Sequence, residues 1–126
     1  MNFKKIKDAV FFYLSAPRCV GCRERLDVGD LALCPECMRE YENVKMRNCS
    51  ICAKPLYYCS CTNSYLDTHY VHKLVKVFRY VHTDPLPSNN LIYSLKRDNR
   101  NDVLIFLTRE MSDAISHSVK NPQDYV

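Results

Sequence analysis

Cys19-Val20-Gly21-Cys22, Cys34-Pro35-Glu36-Cys37, Cys49-Ser50-Ile51-Cys52 and Cys59-Ser60-Cys61 hold all 8 cysteines of this 126-residue chain. Eleven residues separate the first pair from the second and the second from the third, and six separate the third from the fourth. A C-x-x-C turn brings two sulfurs toward one point and leaves backbone N–H groups free to bond thiolates. Two such turns supply the four soft ligands of a tetrahedral structural zinc site, with Zn–S near about 2.3 Å. Cysteines this close in sequence make poor disulfide partners, because the loop they close is too short to restrain the unfolded chain much. The spacing therefore favours metal over a disulfide scaffold. The equal gaps suggest a repeated hairpin unit.

The local pairing places Cys19, Cys22, Cys34 and Cys37 on one Zn²⁺, and Cys49, Cys52, Cys59 and Cys61 on a second. Interleaved pairing is an alternative that spacing leaves open. Cys59-Ser60-Cys61 has a single intervening residue and makes a tighter chelate, so the second site is expected to be weaker, more labile or unoccupied. Redox chemistry at a C-x-x-C would call for a βαβ pattern around it, and none surrounds these. Iron–sulfur ligation is a minor competitor.

Outward from the cysteines, charge and glycine content exclude more than they assert. The formal charge is +4, from 18 Lys+Arg and 14 Asp+Glu, and the two halves hardly differ. Eight thiolates and two Zn²⁺ would take it to zero, and one such site would leave +2. Composition alone thus establishes no nucleic-acid patch. The 2 glycines, Gly21 and Gly29, argue against a Gly-rich phosphate-binding loop. No apolar run approaches the roughly 18 residues of a membrane span.

At the start, Lys4, Lys5 and Lys7 followed by an apolar stretch from Ala9 faintly imitate a secretion signal. Asp8 interrupts it, and Ile6, Val10, Tyr13 and Leu14 fall on one face of a helix instead. Beyond Cys61, Thr62-Asn63-Ser64-Tyr65 reads as a polar bridge. Residues 71–81 are rich in β-branched and aromatic types and predict a strand. Residues 83–87 predict a turn. Ser88 is expected to cap a short helix bearing Leu91, Ile92 and Leu95, and residues 96–102 to form a charged connection. A longer helix should start at Asn101 or Asp102, bury Val103, Phe106, Leu107, Met111 and Ala114/Ile115, and end near Asn121-Pro122. One strand and two helices cannot bury all these faces alone, so the second half reads as the opening of an α/β unit.

The order of these features resembles the ComF/GntX family of bacterial phosphoribosyltransferase-like competence proteins. The resemblance rests on Ala16-Pro-Arg-Cys-Val-Gly-Cys22, Leu33-Cys-Pro-Glu-Cys37, Cys49-Ser-Ile-Cys-Ala-Lys-Pro-Leu56, Val77-Phe-Arg-Tyr80, Asp84-Pro-Leu86 and Leu91-Ile-Tyr-Ser-Leu-Lys96, over about residues 10–120. It implies a double zinc ribbon ahead of a Rossmann-like domain, a link to DNA uptake or nucleotide metabolism, and a cytoplasmic location. Family members carry an acidic pair and a Thr/Gly loop for the 5-phosphate of phosphoribosyl pyrophosphate, and nothing here matches it. Asp84 stands where Gly often precedes Pro-Leu, and Lys96-Arg-Asp-Asn-Arg100 replaces a common K-Y-R-G-D.

The expected architecture is a small α+β chain: a leading amphipathic helix over 1–15, a double zinc ribbon over 16–62, a linker over 63–70, and an incomplete phosphoribosyltransferase-like domain over 71–126. The expected role is that of a zinc-binding head that is not a catalyst by itself. The expected partners are single-stranded DNA, competence-machinery proteins, or the remainder of its own transferase domain. As a nucleic-acid module it would use Arg18, Arg23, Arg25, Lys45, Arg47, Lys54, Tyr57 and Tyr58. As an enzyme it would draw on His69, His72, His82 or His117, with Lys96 or Arg97 toward a phosphate; the resemblance implies that Lys96 and Arg100 lie near the active-site rim of an intact parent. Chelation is expected to unfold residues 16–62 and to affect 71–120 far less.

Overall fold

A computed structural model describes residues 3–80, 82–83 and 85–120. Its helices are α1 (Phe3–Ser15), α2 (Pro35–Lys45), α3 (Ser64–Thr68), α4 (Pro87–Asp98) and α5 (Asn101–Ser118), with a 3₁₀ turn at Leu56–Tyr58. Among the described residues there is no strand, only two isolated antiparallel bridges, Arg18 with Arg25 and Asn48 with Pro55. The fold is helix-rich, which corrects the α+β expectation.

Residues 71–80 run without regular structure, so the expected strand is not formed there. Their β-favouring side chains find no neighbouring strand, and strand preference reflects packing on a sheet more than the backbone itself. What the segment does find is apolar cover: Phe78 meets the edge of Tyr41 with ring centroids 5.9 Å apart. Val81, Asp84 and the expected helix end at Asn121-Pro122 lie outside the described residues.

The expected hairpin repeat is also corrected, because the two equal gaps hold different structures. The first is an irregular loop, and the second is mostly α2. Pro35 occupies an N-terminal position of α2, where its missing N–H costs nothing, and Cys37, Tyr41 and Val44 form the buried face. Within the expected linker, Asn63 accepts a hydrogen bond from the Leu66 N–H at 2.9 Å and nucleates α3.

α4 begins at Pro87, with Leu86 in the cap position. Ser88, expected as the cap, is instead fully buried, and its hydroxyl donates to the Arg79 carbonyl at 3.2 Å. Lys96–Asp98 belong to α4, so the connection to α5 shortens to Asn99, in the left-handed region at φ 48°, and Arg100. α5 starts at Asn101 as expected and buries Val103, Phe106, Leu107 and Ala114. Met111 and Ile115, expected in that face, are about half exposed.

One apolar cluster joins the cysteine-rich segment to the helices. It contains Cys19, Val20, Leu26, Ala32, Leu33, Cys37 and Tyr41 together with Leu91, Val103, Phe106 and Leu107. Arg100 bridges the two parts, with its guanidinium on Asp102 at 2.5 Å and on the Arg18 carbonyl at 2.8 Å. α1 forms as expected, but Ile6, Val10, Tyr13 and Leu14 are exposed; the Arg25 guanidinium lies over the Tyr13 ring at 4.1 Å.

Candidate metal centre

Two knuckles with one backbone design carry half of the ligands. The N–H of Cys19 donates to the Glu24 carbonyl at 2.7 Å, and that of Arg23 to the Cys19 carbonyl at 3.0 Å. Thirty positions on, Cys49 donates to Lys54 at 2.8 Å and Ala53 to Cys49 at 2.9 Å. The outer bonds match as well: Leu26 to Pro17, and Leu56 to Arg47. The residue after each second cysteine, Arg23 or Ala53, adopts positive φ (69° and 59°) to turn the chain back. This internal correspondence was legible in the repeated C-x-x-C, although the equal eleven-residue gaps pointed to the wrong repeat unit.

The remaining ligands arrive differently. Cys34 caps α2 and Cys37 lies in its first turn, so a helix terminus presents both sulfurs. Cys59 and Cys61 follow the 3₁₀ turn in extended chain. The four Sγ atoms of Cys19, Cys22, Cys34 and Cys37 all lie within 4.8 Å of one another, and so do those of Cys49, Cys52, Cys59 and Cys61. The structure thus assembles the local pairing and not the interleaved one.

Backbone N–H groups point at the sulfurs: Cys34 to Cys19 at 3.3 Å, Ile51 to Cys49 at 3.4 Å, and Cys61 to Cys59 at 3.3 Å. Burial works to raise the Cys19 thiol, but the N–H groups of Cys22, Cys34 and Gly21 outweigh it and bring it down to about 7. At Cys59 burial is likewise outweighed, by the Cys61 N–H and the Lys76 ammonium, and the thiol falls to about 6. Their neighbours move the other way. Burial and the bonds from Cys19 and Cys34 push Cys37 far up, and bonds with Cys52 and Cys59 push Cys61 up to about 12. Each cluster therefore favours a thiolate at one sulfur, Cys19 or Cys59, and opposes a second one at Cys37 or Cys61. Four thiolates within this radius need a dication among them, and a soft, tetrahedral sulfur set suits Zn²⁺.

Gly21 is needed by the first cluster for room. A Cβ added there would lie 2.6 Å from the Cys37 Sγ, well inside contact distance. The equivalent position in the second knuckle is Ile51, which is 68% exposed. Gly21→Ala is expected to displace Cys37 and to accelerate zinc loss from the first site about tenfold or more, whereas Ile51→Ala leaves both sites intact. Zinc transfer to a chromogenic chelator checks this, and equal rates for the two variants would refute the steric account.

Other sequence candidates are dispersed. Lys45 is buried on Glu110 at 2.6 Å and Tyr57 is buried, so neither offers a nucleic-acid contact. Tyr58 is exposed, and Arg18 donates to the Arg23 carbonyl. His69 is held at the Tyr65 carbonyl at 2.8 Å, and the His117 ring packs edge-on against Tyr57 and Tyr58. The Arg97 guanidinium covers the Tyr93 ring. Sequence reasoning did not single out Lys76, whose ammonium donates to the Cys59 sulfur at 3.1 Å. No motif marks it, since it lies fifteen residues beyond the last cysteine.

Comparison with known proteins agrees with this geometry over part of the chain. No curated protein and no solved structure matches it significantly. Residues 10–67 match the family model of the double zinc ribbon domain, and the eight cysteines within them form two groups of four that fit two zinc ions.

Proposed function

We propose that this chain is the zinc-stabilised, non-catalytic head of a ComF-type phosphoribosyltransferase-like protein, with a double zinc ribbon over residues 16–62 that serves structure and recognition. The observation that carries the zinc part is the meeting of four sulfurs at each of two points. Cys19, Cys22, Cys34 and Cys37 would hold one ion, and Cys49, Cys52, Cys59 and Cys61 the other. Zinc supplies the cross-link that a segment with few apolar residues lacks. What supports the ComF part is the sequence resemblance of the ribbon, the Val77-Phe-Arg-Tyr80 stretch and Leu91-Ile-Tyr-Ser-Leu-Lys96. On that reading residues 71–126 open the transferase domain, and the partners are the rest of that domain and the DNA-uptake machinery. Among the described residues no helix is long and apolar enough to cross a membrane. Thiols kept as zinc ligands suit a reducing compartment such as the cytoplasm.

Elemental analysis of protein purified without chelator is the direct test, with two zinc ions per chain expected. Absence of metal overturns the reading. Incubation with phosphoribosyl pyrophosphate is expected to release no pyrophosphate, and turnover would refute the non-catalytic part.

A second reading, a contact surface for single-stranded nucleic acid, is favoured by one feature. Exposed Tyr58 borders a cavity of about 340 Å³ shared with Ser60, Lys73, His117 and Lys120. Aromatic rings beside lysines suit stacked bases and phosphates. A salt titration of single-stranded DNA binding, with Tyr58→Ala alongside, separates this from an inert surface.

A further inference from the structure

We propose that the second zinc site is completed from outside its own ribbon, with Lys76 balancing its charge, so that this zinc also clasps residues 71–80 onto the helices. The inference rests on reading Cys49, Cys52, Cys59 and Cys61 as a zinc site.

Four thiolates around one Zn²⁺ carry a net charge of minus two, which favours nearby hydrogen-bond donors and cations. In the first cluster, Cys19 is served by backbone N–H groups of its own knuckle and of Cys34. The second cluster contains the short Cys59-Ser60-Cys61 chelate, which supplies one N–H, from Cys61, to Cys59. The further donor comes from a side chain seventeen residues away: Lys76 Nζ lies 3.1 Å from the Cys59 Sγ. An ammonium at that distance withdraws charge from the sulfur and opposes its departure from a metal.

The same contact has a mechanical side. Residues 71–80 have no strand partner among the described residues and lie along the ribbon through few polar ties. One is the Leu74 N–H on the Ser60 carbonyl at 3.3 Å, beside the ligand loop, and another is Lys76 on Cys59. From there Leu74, Val77 and Phe78 reach Ile92, Leu95 and Leu107 around an apolar cavity of about 470 Å³. Lys76 therefore connects the charge of the metal centre to the seating of this segment on α4 and α5. Loss of the second zinc would leave Lys76 without its anionic partner and loosen residues 71–80 while the first site still stands.

The test uses the full zinc-loaded chain and three variants: Lys76→Met, which keeps the length of the side chain, Lys76→Arg, which keeps the charge, and Cys61→Ser, which removes a ligand. Zinc release into 4-(2-pyridylazo)resorcinol is followed together with amide hydrogen exchange. For Lys76→Met, one of two release phases is expected to quicken about tenfold or more, with the other unmoved. Lys76→Arg restores the slow rate. Amides of residues 71–80 exchange faster in both Lys76→Met and Cys61→Ser. In the Cys61→Ser background, adding Lys76→Met leaves release of the remaining zinc unchanged. Two bound zincs with unaltered release in Lys76→Met overturn the clasp alone. The same acceleration in the Cys61→Ser background overturns it too, since the effect would then not run through the second site. A chain that carries no zinc overturns the underlying reading and the clasp with it.

Discussion

Removal of zinc with a chelator at neutral pH is expected to unfold α4 and α5 along with the ribbon, in one cooperative loss. The sequence alone suggested that damage would stop near residue 62, because all cysteines lie before it. The packing argues otherwise. Cys19 is fully buried and Cys37 nearly so, and both sit in the cluster that contains Leu91, Val103, Phe106 and Leu107. If the four sulfurs separate, Val20, Leu33 and Tyr41 lose their positions, and with them the surface on which α4 and α5 rest. Structural zinc contributes on the order of 10–16 kcal/mol to small zinc-binding peptides at neutral pH. The net stability of a whole domain is only about 5–15 kcal/mol. Removing a term of that size leaves nothing to hold the helices in place. Circular dichroism should lose most of its helical signal, and amides from Val103 to Leu107 should lose protection together with those of α2. Retained protection in α5 after complete zinc removal would show that the helices fold independently of the ribbon.

The second large effect concerns an ion pair that ties α2 to α5. Lys45 Nζ lies 2.6 Å from Glu110 Oε2 and 3.3 Å from Glu42 Oε1, and Tyr41 donates its hydroxyl to the same Glu110 oxygen at 2.8 Å. Burial would lower the Lys45 ammonium, but the Glu110 and Glu42 carboxylates outweigh it and hold its pKa above the usual lysine value. The Lys45 side chain is only 9% exposed. Glu110→Ala removes the main counter-charge and the acceptor for Tyr41 in one step. Breaking a buried pair this way costs about 3–5 kcal/mol. Glu42 and the Tyr57 ring, 4.6 Å from the ammonium, remain to soften it, so we expect about 2–4 kcal/mol. In thermal unfolding that is a fall of roughly 10 °C for a chain of this size. Lys45→Met combined with Glu110→Gln should recover much of it, since the one carboxylate left without its cation, Glu42, is exposed to water and Tyr41 keeps an acceptor. A Glu110→Ala melting temperature within a degree or two of the parent would show that the pair contributes little.

The metal ligands were legible because knuckle chemistry is local: two cysteines and the residues between them contain most of the geometry. The helices carrying Leu91 and Val103 were legible for the same reason, through their apolar spacing. α2 could have been found as well, from Pro35 and the Cys37, Tyr41, Val44 spacing, had the equal gaps not suggested a hairpin. The strand expected over 71–81 failed because a strand is a relation between two segments, and the composition of one cannot supply the other. Lys45 with Glu110 and Lys76 with Cys59 were beyond reach for a similar reason. Each depends on where the fold brings distant positions, and nothing near either residue marks the pairing.

The two knuckles share a backbone but not a tolerance for change at their tips. Gly21 faces the Cys37 sulfur with no space to spare, while Ile51 points outward from a cysteine cluster with the same knuckle backbone. Position 51 is thus a display slot: a reporter group or a different recognition side chain can be installed there with the coordination beneath it undisturbed. Position 21 offers no such freedom.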